Sequence, residues 1–273
     1  MNSYYQVYLV SDSTGETLER VFSALQAQFN NFQYKVHQYS FTRTENQIDK
    51  IIHRCETLEK VIVLYTVVNN KIEKYLIKKC EQNNIPCFGV LANLINSFSK
   101  LLHQEASHKP SGQHILDEEY YKRIEAIQFT MSHDDGKKIS DIGKSDIILL
   151  GVSRTSKTPT SVYLANRGYK TSNLPIIEDQ TLPNQLIKSL NSKCVIGLIA
   201  EVSRISDVRR NRTHSINENK ATSYTDINNI SKELENSKKL FKKNNWPIID
   251  VTRKSVEETA AAVIKIFDIM KSK

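Results

Sequence analysis

Between Lys144 and Lys170 the chain reads KSDIILLGVSRTSKTPTSVYLANRGYK, and this order leaves little freedom of fold. Asp146 to Leu150 is a short apolar run of strand character. Gly151 opens a loop of small and hydroxylated residues, and Lys157-Thr158 stands at the start of an amphipathic segment marked by Pro159. Proline suits a first helical turn because it has no N–H to lose and its φ already matches the helix. The N–H groups left free at such a helix start can point back at the loop, so an anion is the natural occupant.

The same alternation of strand and helix recurs on both sides. Tyr5–Val10, Tyr34–Phe41, Val61–Val68 and Pro86–Val90 read as strands. The helices between and after them carry stripes: Leu18, Val21, Phe22, Leu25 and Phe29 in the first, then Ile48, Ile51, Ile52 and Cys55 within Gln47–Leu58. Lys71–Gln82 is the third, and Leu91–Leu102 has Leu91, Leu94, Ile95, Phe98 and Leu102 on one side. Four such units predict a parallel sheet covered by helices, a Rossmann-like half without the GxGxxG dinucleotide fingerprint. The polar stretch His103–His114 predicts a linker, and the spacing of its three histidines fits no compact zinc pattern.

Beyond the linker, Asp117–Met131 reads as a helix with Tyr120, Ile124, Ile127 and Met131 inward. Asn173–Ile177, Cys194–Ala200 and Pro247–Val251 read as strands, and Leu182–Leu190 and Asp226–Lys243 as helices, the longer with Ile227, Ile230, Leu234 and Phe241 as its stripe. A last helix is capped by Ser255 with Glu258. The expected fold class is α/β in two domains: residues 1–106, Rossmann-like, and residues 107–273, which contain the P-loop-like motif and bind nucleotide.

Several classes of function fall away. No apolar run approaches about 18 residues and no leader-like start is present, so the expectation is a cytoplasmic protein without a membrane partner. Cys55, Cys80, Cys87 and Cys194 lack CxxC spacing and read as structural thiols. The net charge of +8 divides as +2 up to Pro110 and +6 after it, so the excess lies in the half that holds the loop. Acidic residues are interleaved throughout, which favours phosphates or an acidic partner over nucleic acid.

Against the pattern GxxxxGK[ST], the loop reads Gly151-Val152-Ser153-Arg154-Thr155-Ser156-Lys157-Thr158, with serine for the second glycine. Ser156 is therefore expected in a conformation that needs no glycine. Backbone N–H groups can cradle phosphate oxygens, Lys157 can neutralise a terminal phosphate, Arg154 adds a second cation, and the Thr158 hydroxyl can ligate Mg²⁺. Glu201 and Asp250, at strand ends, are candidates for the carboxylate that holds the metal. Arg204, Arg209, Arg210 and Arg212 offer charge for a phosphate or an acidic partner surface, while for any single one of them a solvated basic helix is the stronger reading. Asp134 and Asp135 of His133-Asp-Asp-Gly136 end a helix where negative charge is unfavourable. They point to a compensating cation or a proton-accepting role, or to a plain exposed turn. Ser11-Asp-Ser-Thr-Gly-Glu-Thr17 is either an N-terminal capping loop or a ligand contact.

SDSTGET, LDEEYYKRIEAIQFTMSHDDG, GVSRTSKTPTSVYLANRGYK and WPIIDVTRKSVEETAA together resemble the pyruvate, phosphate dikinase regulatory protein family of bacteria and plants, over Val10 to Ala262. The resemblance implies a bifunctional enzyme with a C-terminal kinase domain. An ADP-dependent serine/threonine kinase activity would phosphorylate a threonine of the dikinase beside its catalytic phosphohistidine, and a phosphate-dependent activity would remove the group as pyrophosphate. A sister branch acts likewise on phosphoenolpyruvate synthase, so the partner stays open. It places nucleotide binding on Gly151–Thr158, with serine at 156 as the family's own form. On this reading ADP and inorganic phosphate are co-substrates with Mg²⁺. Lys157, Arg154 and Asp135 (or Asp134) carry the chemistry, and Thr158 and Asp250 the metal. A noncatalytic nucleotide or phosphate sensor is the competing reading. A homodimer is the expected assembly on base rates.

Overall fold

The computed structural model describes residues 4–112, 117–176, 186–187, 190, 193–216 and 224–272. The chain divides into two compact units, Met1–Ile115 and Leu116–Lys273.

The N-terminal unit runs β1 (Tyr5–Ser11), α1 (Glu16–Gln26), β2 (Tyr34–Tyr39), α2 (Glu45–Glu56), β3 (Val61–Thr66), α3 (Asn70–Gln82), β4 (Cys87–Gly89) and α4 (Ala92–Leu102). All strands are parallel, in the order β2-β1-β3-β4. Alternation along the strands sends Tyr8, Val10, Val63 and Tyr65 to a core with α2 and α3, and Val7, Leu9 and Leu64 to the opposite face, where Leu18 and Phe22 of α1 meet them. Thr44 and Gln47 close a capping box at the head of α2, which fixes where that helix starts.

Three expectations are corrected in this unit. SDSTGET does not cap α1 through a side chain: its N-cap is Gly15 at φ +90, without a side-chain hydrogen bond. Asp12 instead accepts from the backbone N–H groups of Val68 and Asn69 at 2.8 and 3.2 Å and so holds the β3–α3 connection. Of the α1 stripe only Leu18 and Phe22 are buried, while Val21, Leu25 and Phe29 face outward. The α4 stripe buries nothing at all.

The C-terminal unit runs α5 (Glu118–Ser132), β5 (Ile147–Gly151), α6 (Lys157–Ala165), β6 (Thr171–Pro175), β7 (Cys194–Ile199), α7 (Val202–Ile216), α8 (Ile227–Lys243), β8 (Ile248–Asp250) and α9 (Val256–Lys271). Its parallel sheet has the order β6-β5-β7-β8, which repeats the wiring of the first. β5 is buried on both faces, which is why its sequence is continuously apolar rather than alternating. Ile147 and Leu149 pack with α6, α7, α8 and α9, and Ile148 and Leu150 with Phe241 and Trp246. Most of the helix expected over Leu182–Leu190 lies outside the described residues, and Leu186 and Ile187 are helical.

α5 is rolled relative to its apolar stripe. Met131, expected inward, is 68% exposed, and the buried residues are Ala126 and Thr130. Small residues let the helix approach α6 and β6 closely, and the Thr130 hydroxyl accepts the Thr171 N–H at 3.0 Å. Among the described residues no helix is long and apolar enough to cross a membrane.

Candidate active site

β5 delivers Gly151 to the middle of the sheet edge, where a side chain could not stand: a Cβ there would lie 2.6 Å from the Leu198 carbonyl oxygen and from Thr155 Oγ1. The chain turns inward, with Val152 and Thr155 buried and Thr155 Oγ1 donating to the Val152 carbonyl at 2.9 Å. α6 begins at Lys157 behind an N-cap Ser156 whose side chain makes no capping bond. The N–H groups of the first turn therefore have no acceptor within the helix, and Pro159 forfeits none.

Two residues of the loop occupy the left-handed region, Arg154 at φ 77 and Ser156 at φ 58. Ser156 thus does adopt the backbone that glycine serves in the general pattern, contrary to the expectation that it would avoid it. Each such residue costs roughly 1 kcal/mol or more, which the surroundings must offset.

Those surroundings come from residues far along the chain. Arg209 of α7, 1% exposed, pairs with Glu233 of α8 at 2.6 Å and donates to the Ser153 carbonyl at 3.3 Å and the Tyr224 carbonyl at 2.9 Å. Its guanidinium lies over the Tyr224 ring, 4.5 Å from the centroid. The Tyr224 hydroxyl bonds Ser153 Oγ at 2.9 Å and accepts from Arg154 Nε at 3.2 Å. Arg209 is thus a buried brace of the loop, not the free phosphate or partner contact read from the basic run. Arg204, Arg210 and Arg212 lie on the exposed side of α7. The role of Tyr224 left no mark in the local sequence, because only the tertiary fold brings it to the loop.

Lys157 is 6% exposed, with its ammonium donating to the Val152 carbonyl at 3.0 Å. Burial pulls its pKa down to about 8, against the attraction of Asp135 and with a further push from Arg154. A buried cation short of partners is poised to accept an anion.

Facing it is the turn after α5. Asp134 Oδ1 accepts from Thr158 Oγ1 at 2.9 Å and from Asn173 Nδ2 at 2.6 Å. Asn173, fully buried on β6, also takes the Asp135 N–H on its Oδ1 at 2.9 Å. Asp135 sits at φ 55 with its side chain exposed and no hydrogen bond to its carboxylate among the described residues. One amide thereby fixes both acidic residues: Asp134 against Thr158, and Asp135 toward solvent near Lys157. Asn173 was not singled out from the sequence, since an asparagine inside an apolar strand stretch carries no motif.

The metal set expected from sequence is only half assembled. Thr158 does meet a carboxylate, but it is Asp134. Asp250 ends β8, two strands from β5, and accepts from the N–H and hydroxyl of Thr252. Burial pushes that carboxyl up, and the Thr252 bonds outweigh it and hold it below the usual range. Glu201 is exposed after β7, with its N–H on Thr252 Oγ1. Among the described residues no group of three or more His, Cys, Asp or Glu side chains could hold a metal by itself. A hydroxyl and a carboxylate oxygen 2.9 Å apart do match the hard oxygen ligands of Mg²⁺, which usually takes one or two carboxylates and completes its shell with substrate phosphates and water.

Comparison with known proteins places this geometry in context. The model of the kinase/pyrophosphorylase family matches residues 7–264. A protein of Pelagibacter ubique (strain HTCC1062), provisionally named pyruvate, phosphate dikinase regulatory protein, is 58% identical over 272 residues, covering 100% of this chain and 99% of its own. Proteins with the same provisional name from Chelativorans sp. (strain BNC1) and Sphingopyxis alaskensis are 44% and 43% identical over 266 residues each, covering 97% of this chain and 96% and 98% of theirs.

Proposed function

The chain belongs to the kinase/pyrophosphorylase family, and on that footing we propose that it switches pyruvate, phosphate dikinase off and on by adding and removing one phosphoryl group. In the forward direction a threonine hydroxyl of the partner attacks the β-phosphorus of ADP. The bond from that phosphorus to the bridging oxygen breaks, AMP leaves, and the threonine proton passes to Asp135. In the other direction an oxygen of inorganic phosphate attacks the phosphothreonine phosphorus, pyrophosphate departs, and the threonine oxygen recovers a proton.

Both directions use one cradle. The N–H groups at the head of α6 and the Lys157 ammonium meet the β-phosphate of ADP or the incoming phosphate, and Arg154 at the loop rim orients it. Asp135 suits the base role because its carboxylate is unengaged, whereas Asp134 Oδ1 already serves two donors. Little base strength is needed when the transition state is loose. Thr158 and Asp134 would hold Mg²⁺, which when bound neutralises phosphate charge.

The observation that carries this reading is a buried, depressed-pKa lysine at a helix start, set opposite an acidic pair. The test is incubation with ADP, Mg²⁺ and either the dikinase or phosphoenolpyruvate synthase, each with its histidine phosphorylated, scoring AMP and phosphothreonine and then phosphate-dependent pyrophosphate. Lys157→Ala should lower both rates by about 100-fold or more. Full activity in that variant would sink the assignment. Nucleotide binding without transfer to either enzyme would favour the sensor reading.

A further inference from the structure

The N-terminal unit has a cavity of its own at the place where open parallel sheets bind ligands. In the order β2-β1-β3-β4 the chain leaves β1 toward one edge and β3 toward the other, so a crevice opens at the carboxyl ends of those two strands. A cavity of about 230 Å³ occupies it, lined by Asp12 after β1, Val68 after β3 and the start of α1. The stretch read from sequence as a linker turns back to line it as well, through Lys109, Ser111 and Gly112. Arg43 holds this strap, donating from Nη2 to Ser111 Oγ at 3.1 Å and from Nε to the Asp12 carbonyl at 2.8 Å. The Ser13 and Ser111 hydroxyls bond at 3.0 Å, and His108 Nδ1 donates to the Val68 carbonyl at 2.9 Å. His108 and Ser111 both stand in the left-handed region, at φ 49 and 63, a cost that these bonds offset.

Asp12 is 1% exposed, and among the described residues it has no ion pair. Its Oδ2 takes the Val68 and Asn69 N–H groups, while its Oδ1 accepts from no described residue. Buried carboxylates are ordinarily paired with a cation, and Arg43 is spent on the Asp12 carbonyl instead. α1 starts beside it behind Gly15, without a capping side chain, and the first N–H to find an acceptor within the helix is that of Glu19. The free N–H groups of this first turn, the Thr17 hydroxyl and Lys109 are donors for an oxyanion. Among the described residues that line the cavity, Asp12 and Lys109 alone carry charge, and their charges cancel. We infer that the cavity binds a free α-amino acid with a short apolar side chain. The ammonium donates to Asp12 Oδ1, the carboxylate takes the donors at the head of α1 and on Lys109, and the side chain meets Val68 and Leu91. A zwitterion leaves neither its own charge nor that of Asp12 stranded. The cavity is smaller than the pockets that take drug-sized ligands, which rules out a nucleotide here.

The experiment uses the full chain, in equilibrium dialysis with radiolabelled L-alanine and L-valine. At least one should bind with a dissociation constant of about 10–100 µM. Unlabelled L-lactate, which has a hydroxyl where alanine has its ammonium, should compete about 100-fold less well than unlabelled alanine. Asp12→Asn keeps an oxygen for the Val68 and Asn69 N–H groups but turns an NH₂ toward the ligand, and should weaken binding about 100-fold or more. Far-UV circular dichroism checks that this variant is folded. Lys109→Glu, at an exposed position, tests the oxyanion end without risk to the fold and should weaken binding about 10-fold. Saturating inorganic phosphate should not displace the amino acid. No binding of either amino acid at millimolar concentration, lactate competing as well as alanine, displacement by phosphate, or unchanged affinity in folded Asp12→Asn or in Lys109→Glu would each overturn the assignment. None of these readouts depends on the phosphotransfer activity.

Discussion

Replacing Lys157 by methionine should stabilise the ligand-free protein while abolishing its activity. The side chain keeps its length, and the buried charge is removed. The fall of the lysine pKa from 10.5 to about 8 measures the penalty of holding that ammonium in its site, about 3 kcal/mol. Losing the bond to the Val152 carbonyl costs about 1 kcal/mol, which leaves a net gain of about 2 kcal/mol. Trp246 is the single tryptophan of the chain and is buried in the C-terminal unit, so its fluorescence reports the unfolding of that unit alone. In phosphate-free buffer at pH 7 the variant should melt about 4–8 °C above wild type. The gap must also depend on pH. Folded Lys157 loses its proton near pH 8, whereas the unfolded chain keeps it to about pH 10.4. Between those values the unfolded state binds more protons, so wild-type stability rises with pH and the advantage of methionine closes. Inorganic phosphate should raise the melting point of wild type and leave the variant unmoved. A variant less stable than wild type at pH 7, or a gap that persists above pH 10.5, would refute the view of Lys157 as a cation held in readiness.

Two further substitutions address the frame of the site. Asn173→Ala frees both Asp134 and the Asp135 N–H, so the turnover number should fall about 10- to 100-fold with a stability cost of about 1–3 kcal/mol, read from steady-state rates and Trp246 unfolding; an unchanged turnover number removes Asn173 from the site. Glu233→Gln leaves Arg209 buried without its counter-charge and should destabilise the C-terminal unit by about 3 kcal/mol while raising the KM for ADP, because Ser153 and Arg154 lose their brace; unaltered unfolding would mean that the pair is not coupled to the loop.

The sheets were legible in the sequence because parallel strands buried on both faces produce short apolar runs, and the loop was legible because its chemistry is contiguous from Gly151 to Thr158. What escaped is what long-range packing decides. Asn173 and Tyr224 act across 39 and 71 residues of sequence, each through one side chain whose hydrogen bonds leave no periodic trace. The roll of α5 follows from Ala126 and Thr130 being small, which an apolar stripe through Met131 conceals. For α4 and Phe29 the periodicity marks an apolar stripe, but a stripe alone does not say whether the chain buries it, and here it stays exposed. Ser156 shows the opposite failure: the residue type argued against a left-handed backbone, and the clamped loop imposes one.

The shared wiring of the two sheets lets the molecule serve as its own comparison. In each unit the first strand lies between the second and the third, so the loop that leaves it emerges at the fork of the sheet. At that fork the N-terminal unit sets Asp12 and Glu16, and the C-terminal unit sets Arg154 and Lys157. The backbone plan is the same and the side chains differ: Asp12 holds the N–H groups of Val68 and Asn69 with Arg43 on its carbonyl, whereas Lys157 lies buried on the Val152 carbonyl with Asp134 and Asp135 nearby. One fork spends a carboxylate oxygen on closing a loop of its own backbone, and the other leaves a buried ammonium beside the N–H groups of a helix start, so one topology is put to two uses by a handful of side chains.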